Sequence, residues 1–303
     1  MLAFKQLSLE DREIINKYLK VWNSDSSDLS FANLYTWSCS YCTRYAIEND
    51  ALFIMQMHPN SKMAMCIPLP FDKTANLASY IELIREYCCK NNISIDLGIP
   101  SEEHLNKFIN DLGNNYEIVP NENNFDYVYS SDSLITLSGN KLHSKRNHIN
   151  KFLSLYEPEF FIFDDSHKEE CLKLYCEWYK EKGEGTKDID DEICAVEKVL
   201  NEYKQLGLTG CVIKVNGKII AFSFGEKLNE NTALIHVEKY IPEYEGIGAY
   251  INREFAKNCW ADIEFINREE DMGIEGLRRA KKSYIPVRMV KKYTVKNFIC
   301  EEN

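Results

Sequence analysis

The sequence predicts a mixed α/β (α+β) protein built from two domains with one shared order of elements. Three observations predict it. A chain of 303 residues is long enough for two cores of ordinary size. Segments with helical apolar spacing alternate with short β-branched and aromatic runs instead of segregating into separate regions. The order in the first half (helix, helix, three strands, helix, strand, helix, two strands) recurs in the second half without obvious sequence similarity.

In the first half, "LEDREIINKYLKVW" (9–22) and "SFANLYTWS" (30–38) have helical spacing. "YCTRYAI" and "ALFIMQ" are strands joined by a turn at Glu48 to Asp50, and a third strand lies near Met63 to Ile67. "LASYIELIREYCCKN" is a helix, "ISIDLGI" a strand, and "SEEHLNKFIND" a helix capped by Ser101. "YEIVP" and "FDYVYS" close the half as strands.

The second half starts with the strand "EFFIFD" and the helices "HKEECLKLYCEWYKEK" and "DEICAVEKVLNEYKQLG". "CVIKVNGKIIAFSFGE" is a hairpin, because Asn216-Gly217 supplies the positive-φ pair that a two-residue turn needs. The strand "TALIHVEKY" leads into a glycine turn and a helix, followed by the strand "DIEFIN", the helix "GIEGLRRAKKSY" and the strand material "VRMVKKYTVKNF". The expected boundaries are 1–131 for the first domain, 132–158 for a linker helix and 159–303 for the second domain, which carries the active cleft.

Composition narrows the function classes. Hydrophobic residues make up 45% and charged residues 27%, as in water-soluble globular proteins. No apolar run approaches the roughly 18 residues that cross a bilayer, and the start "MLAFKQLSLEDREI" turns acidic too early for a signal peptide. The reading is a cytoplasmic protein without integral membrane association. Eleven scattered cysteines give no disulfide framework. Cys39 and Cys42 in "WSCSYC" have C-x-x-C spacing, but no second pair and no histidine at ligand spacing supports a metal or redox site.

A net charge of −11 argues against a general nucleic-acid coat, yet two segments contain no acid. Residues 133–156 carry Lys141, Lys145, Arg146 and Lys151; residues 278–296 carry eight cations, among them Arg278, Arg279, Lys281 and Lys282. This segregation suggests a local anion site, and solvated helix faces are the plainer reading. The stretch "HVEKYIPEYEGIGAYINREF" (236–255) reads as strand, turn and helix, with Gly246 and Gly248 where phosphate-binding turns place glycines. Its acids, Glu243 and Glu245, are unusual there, and the glycines also suit a plain tight turn. A dinucleotide fingerprint fails because its last glycine or alanine falls at Ile251.

"KRNHINKF" (145–152), "HVEKYIPEYEGIGAYINREFA" and "EFINREEDMGIEGLRRAKKSYIPVRMVKKY" together resemble the C-terminal catalytic domain of bacterial phosphatidylglycerol lysyltransferases and its soluble relatives. The resemblance implies two tandem GNAT-like domains, related to Fem-type aminoacyltransferases, and transfer of an acyl or aminoacyl group onto an amine or hydroxyl. It implies no tightly bound cofactor, an acyl-CoA or aminoacyl-tRNA donor, and a small-molecule or peptide acceptor. In the GNAT frame, Glu243 stands at the Gln/Arg position of the coenzyme A cradle, which weakens a pyrophosphate and suits an ammonium-bearing aminoacyl group. A coenzyme A-dependent small-amine N-acetyltransferase and a non-catalytic ligand-binding relative remain open.

Acyl transfer needs a base, an oxyanion donor and an acid. Glu238, near the end of its strand, and His236, on the same face by the period of two, are the candidate bases. Tyr284 resembles the GNAT tyrosine acid in position, with Lys281 and Lys282 expected to lower its pKa. Expected donor-binding groups are the amides of Ile247, Gly248 and Ala249 after Gly246, with Asn267 lining the cleft. A positive patch of Lys145, Arg146, Arg278 and Lys281 would meet a tRNA acceptor end. In "NREEDMG", Glu269, Glu270 and Asp271 invite a Mg²⁺ reading, but Glu270 or Asp271 reads better as a helix cap.

Overall fold

A computed structural model describes residues 1–57, 63–182 and 187–298. The chain divides into two compact units, residues 1–125 with 290–303, and residues 126–289.

The first unit contains β1 (Lys5–Gln6), α1 (Arg12–Trp22), α2 (Phe31–Thr36), α3 (Ser38–Tyr41), β2 (Arg44–Glu48), β3 (Ala51–Met57), β4 (Met63–Cys66) and β5 (Leu69–Pro70). It continues with α4 (Ala78–Asn91), β6 (Ile95–Ile99), α5 (Glu102–Leu112) and β7 (Ile118–Pro120). The second unit contains β8 (Asp126–Ser130), α6 (Ser131–Thr136), α7 (His143–Leu155), β9 (Glu159–Ile162), α8 (Lys168–Lys182), α9 (Lys187–Leu206), β10 (Thr209–Val215) and β11 (Lys218–Lys227). Then come β12 (Thr232–Tyr240), α10 (Ile247–Cys259), β13 (Phe265–Asn267), α11 (Glu275–Lys282) and β14 (Arg288–Val290), and the chain returns to the first unit as β15 (Tyr293–Phe298).

Local chemistry explains most of these elements. Asn49 and Asp50, both at positive φ, turn β2 into β3, and Asn216-Gly217 turns β10 into β11. The Ser101 hydroxyl accepts the His104 amide at the start of α5. In the first unit's sheet the order is β1-β2-β3-β4-β6-β15-β7, with β5 on β3. Its core includes Phe53, Met65, Ile81, Leu97, Phe108 and Val295. In the second unit the order is β14-β8-β13-β12-β11-β10-β9, over a core that includes Tyr129, Ile149, Phe152, Ile220, Ile251 and Ile266.

Three expectations are corrected. "FDYVYS" pairs in the second unit's sheet as β8, and the last strand, assigned from sequence to the second domain, lies between β6 and β7 of the first. Pairing partners decide this, and local sequence does not encode them. The segment read as a linker is instead α6 and α7, which bury Leu134, Ile149 and Phe152 in the second unit's core. Finally, Cys39, Cys89 and Cys194 are disulfide-bonded; Cys42 is a free thiol, so the C-x-x-C pair is not joined to itself.

Candidate active site

The site is built where two parallel strands of the second unit diverge. β12 and β13 pair from Thr232↔Phe265 to Leu234↔Asn267, with α10 as the crossover between them. Beyond Leu234, β12 runs on while the chain after Asn267 parts from it and stays hydrogen-bonded to Tyr127 of β8 through Arg268 and Glu269, which leaves an opening between the two strands. Against β11, Val237 pairs with Phe224 and Ile235 with Gly225, so His236 is the extra residue of a β-bulge. The bulge interrupts the period of two that placed His236 and Glu238 on one face in the sequence reading.

Glu238 stands at the centre of the opening. Its Oε1 accepts from Arg268 Nη2 at 3.1 Å and its Oε2 from Asn252 Nδ2 of α10 at 3.2 Å. The Glu238 and Arg268 side chains are 15% and 13% exposed. The Arg268 guanidinium carbon lies 5.0 Å from the centre of the Tyr284 ring and 5.8 Å from that of Tyr129. Lys145 of α7 places its Nζ 4.1 Å from the Tyr284 ring centre. Burial, then the nearby Arg268 charge, lowers the Lys145 pKa, and Glu238 opposes them. The opening thus joins Glu238, Tyr284 and Lys145, which the sequence singled out, with Arg268 and Asn252, which it did not.

Tyr284 corrects one expectation. Its pKa is pushed up to about 12, mainly by burial, with the Arg268 charge pulling against it. The cations beside the ring are Lys145 and Arg268, and Lys281 turns away to donate its Nζ to the carbonyl oxygens of Arg268 and Glu270. A hydroxyl with that pKa stays protonated at neutral pH and can act as an acid.

His236 is buried between two carboxylates. Its Nδ1 is 3.1 Å from Glu269 Oε1 and its Nε2 3.0 Å from Glu226 Oε1. Burial lowers its pKa, but the hydrogen bonds and charges of Glu226 and Glu269 outweigh that and raise it to about 9. Both ring nitrogens therefore carry protons at neutral pH. Such an imidazolium has no lone pair with which to act as a base, so Glu238 is the better candidate.

The expected phosphate patch is largely spent on the fold. Arg146 donates to the carbonyl oxygens of Leu137 and of Gly139, the latter at 2.8 Å, and so closes the C-terminal end of α6. Arg278 forms a fork with Asp271, Nε to Oδ2 at 2.9 Å and Nη2 to Oδ1 at 2.8 Å. That fork is the chief reason the Asp271 pKa falls to about 2. The Lys281 amine falls to about 8, through burial first and the Arg268 charge second. Asn267, expected in the cleft, is fully buried; it donates to Asp126 at 3.0 Å and accepts the Glu269 amide at 2.7 Å.

The acids of "NREEDMG" serve the loop itself. Glu269 holds His236, while Asp271 accepts from Arg278, from the Tyr127 hydroxyl at 2.6 Å and from the Gly273 amide at 2.9 Å. Asp271 stops short of capping α11, whose N-cap is Ile274.

The glycine turn is shaped by packing. Gly246 has φ of 95°, and a Cβ there would meet the His148 carbonyl oxygen of α7 at 2.2 Å. At Gly248 a Cβ would stand 2.8 Å from the Tyr240 ring. The Ile247 amide donates to the Tyr244 carbonyl at 3.0 Å and is thus engaged within the turn. Partly buried Gly248 and Ala249 follow in the first turn of α10. The expected acids lie outward: Glu243 is exposed and Glu245 pairs with Lys151 at 2.5 Å.

Asn252 and Glu226 left no signal in the sequence, because the bulge and the strand register bring them to the site. Arg268 carried one hint, its place directly after a strand expected to end at the opening.

The family described as phosphatidylglycerol lysyltransferase, C-terminal, matches residues 20–296. A conserved protein of unknown function from Bacteroides thetaiotaomicron VPI-5482 is similar over 97% of this chain and 99% of its own, with 34% identity and a TM-score of 0.86. L-PGS from Bacillus licheniformis shares the fold at a TM-score of 0.63 and 14% identity, covering 97% and 93% of the two chains. FemX does so at 0.58 and 8%, covering 97% of each. A curated relative, an uncharacterized protein of Mycoplasmoides gallisepticum (strain R(low / passage 15 / clone 2)), is 25% identical over 177 residues, 58% of this chain and 57% of that protein's length. Among the described residues no helix is long and apolar enough to cross a membrane. With a mixed α/β fold shared with L-PGS and a family match across most of its length, the chain belongs to the family of phosphatidylglycerol lysyltransferase C-terminal domains.

Proposed function

We propose that this chain is an aminoacyl- or acyltransferase that carries its reacting groups in the opening between β12 and β13. The observation that carries the reading is the meeting of Glu238 with Tyr284 around Arg268, a proton acceptor and a proton donor in one partly buried opening. In the reaction, an amine attacks the donor carbonyl and loses its proton to Glu238. The bond from carbonyl carbon to leaving group breaks, and the leaving atom takes the Tyr284 proton. Glu238 then returns its proton through solvent, which restores both groups.

A protonated Tyr284 is needed more for an oxygen ester than for a thioester. A thiol leaving group has a pKa near 8.5 and can depart as thiolate, whereas an alkoxide is too basic to leave without the proton that such a hydroxyl supplies. The engaged Ile247 amide and the exposed Glu243 also disfavour a coenzyme A pyrophosphate at the glycine turn. Both observations support a charged tRNA acceptor end as donor, approached by Lys145 and the exposed Lys282.

The test is to incubate the purified chain with a mixed pool of labelled aminoacyl-tRNAs or with acyl-coenzyme A, each with a panel of small amines and hydroxyl compounds. Transfer from charged tRNA is the expected result. Transfer from acyl-coenzyme A alone would move the reading to an N-acetyltransferase, and transfer from neither would remove it.

A further inference from the structure

His236 precedes Glu238 by two residues on β12, and its imidazolium cannot act as a base. What it touches is the loop that presents Arg268. The loop starts at Asn267, whose buried side chain accepts the Glu269 amide. The next residue, Arg268, donates its amide to the Tyr127 carbonyl of β8 at 3.0 Å, and the Tyr127 amide donates to the Glu269 carbonyl at 3.1 Å. Glu269 sits at φ of 56°, a left-handed conformation that a residue with a Cβ adopts only when its surroundings hold it there. The contact that reaches its side chain is His236, itself turned out of the regular strand by the bulge.

We infer that His236 is a positioning residue, which clamps Glu269 against Glu226 and thereby fixes the loop so that the Arg268 guanidinium meets the Glu238 carboxylate. The inference rests on Glu238 lying in the transfer site, but the alignment it describes exists whether or not transfer occurs. The groups facing the imidazole are Glu226 from β11 and Glu269 from the loop, and Lys281 of α11 holds the same loop from its other side through two carbonyls. With both ring nitrogens protonated, His236 donates to both carboxylates. After losing one proton it donates to one only, and the two carboxylates then repel with less charge between them. The clamp therefore belongs to the protonated ring, and alkaline solution releases it.

The experiment compares crystal structures of the wild type at pH 7 and at about pH 10 with those of His236→Gln and Glu269→Gln at pH 7, alongside an NMR titration of the His236 ring. The expected result is an Arg268–Glu238 pair that is intact in the wild type at pH 7 and open in both variants and in the alkaline wild type, with the ring titrating on the alkaline side of neutrality. An unchanged pair in Glu269→Gln would overturn the inference, even if His236→Gln fails to fold. A ring that titrates below neutrality would overturn it as well. Where transfer is measurable, the variants lower kcat at least tenfold with little change in KM for the donor, and the alkaline loss of rate disappears in His236→Gln. A general loss of stability would leave that alkaline limb in place. If no donor is turned over, the pair geometry still decides the inference, so its failure and that of the transferase reading are separable.

Discussion

Glu238 of β12 and Arg268, the first residue after β13, form a 3.1 Å ion pair across the gap between two strands that no longer hydrogen-bond to each other. The pair bridges the opening instead of the backbone. Removing one partner leaves a largely buried charge alone, which costs more than removing both. Arg268→Gln is expected to lower stability by about 3 kcal/mol, and the double variant Arg268→Gln/Glu238→Gln by clearly less. Chemical denaturation of the two single variants and the double variant checks this; additive losses would mean that the two side chains act independently.

Lys145 and Arg146 are neighbours in sequence with different work. Arg146→Ala removes a donor from the carbonyls that end α6 and is expected to cost about 1 kcal/mol of stability without changing tRNA binding. Lys145→Ala is expected to leave stability nearly unchanged and to reduce the salt dependence of tRNA binding by about one unit of slope. Binding measured across a salt series, paired with thermal melts, separates the two.

At Gly246, an alanine would have to keep a positive φ and push its Cβ into the His148 carbonyl. Gly246→Ala is expected to destabilise the second unit by about 2–3 kcal/mol, through both strain and displacement of α7. Melting curves report this directly, and a variant as stable as the wild type would show that the turn and α7 are not tightly packed.

Asp271 supplies a pH dependence at the acid end. Its folded pKa, about 2, lies below its ordinary value of 3.8, chiefly because of the Arg278 fork. The stabilisation it gives is therefore present above pH 3.8 and is lost as pH falls through about 2. For a nearly buried carboxylate this amounts to roughly 2 kcal/mol. Asp271→Asn should remove that part of the acid-induced loss, and denaturation at pH 7 and at low pH measures it.

The sequence made the elements legible and the partnerships much less so. Periodicity located α1, α4, α5 and β10 to β12, and Asn216-Gly217 marked its hairpin, because each of these depends on neighbours in the chain. The placement of β8 and β15 in each other's expected sheets was not legible, since each strand reads alike in either sheet. Glu238 and Tyr284 could be singled out from their places at the ends of elements. The bulge at His236 and the Arg268–Glu238 pair could not, because a register shift of one residue has no signature in composition. The cations of α11 were legible as charge but their partners were not: Arg278 meets Asp271, and Lys281 meets the carbonyls of Arg268 and Glu270 in the loop 267–273.

The most direct test of the account is single-turnover transfer from the charged tRNA donor by the wild type, Glu238→Gln and Tyr284→Phe, with donor affinity measured in parallel. Removing a base or an acid acts on the transition state, so both variants are expected to lose at least about a hundredfold in rate while donor affinity changes less than about threefold. Tyr284→Phe should lose far less with an activated thioester, whose leaving group needs no proton. Rates in both variants within a few-fold of wild type would contradict the account and leave the opening between β12 and β13 without a part in the chemistry.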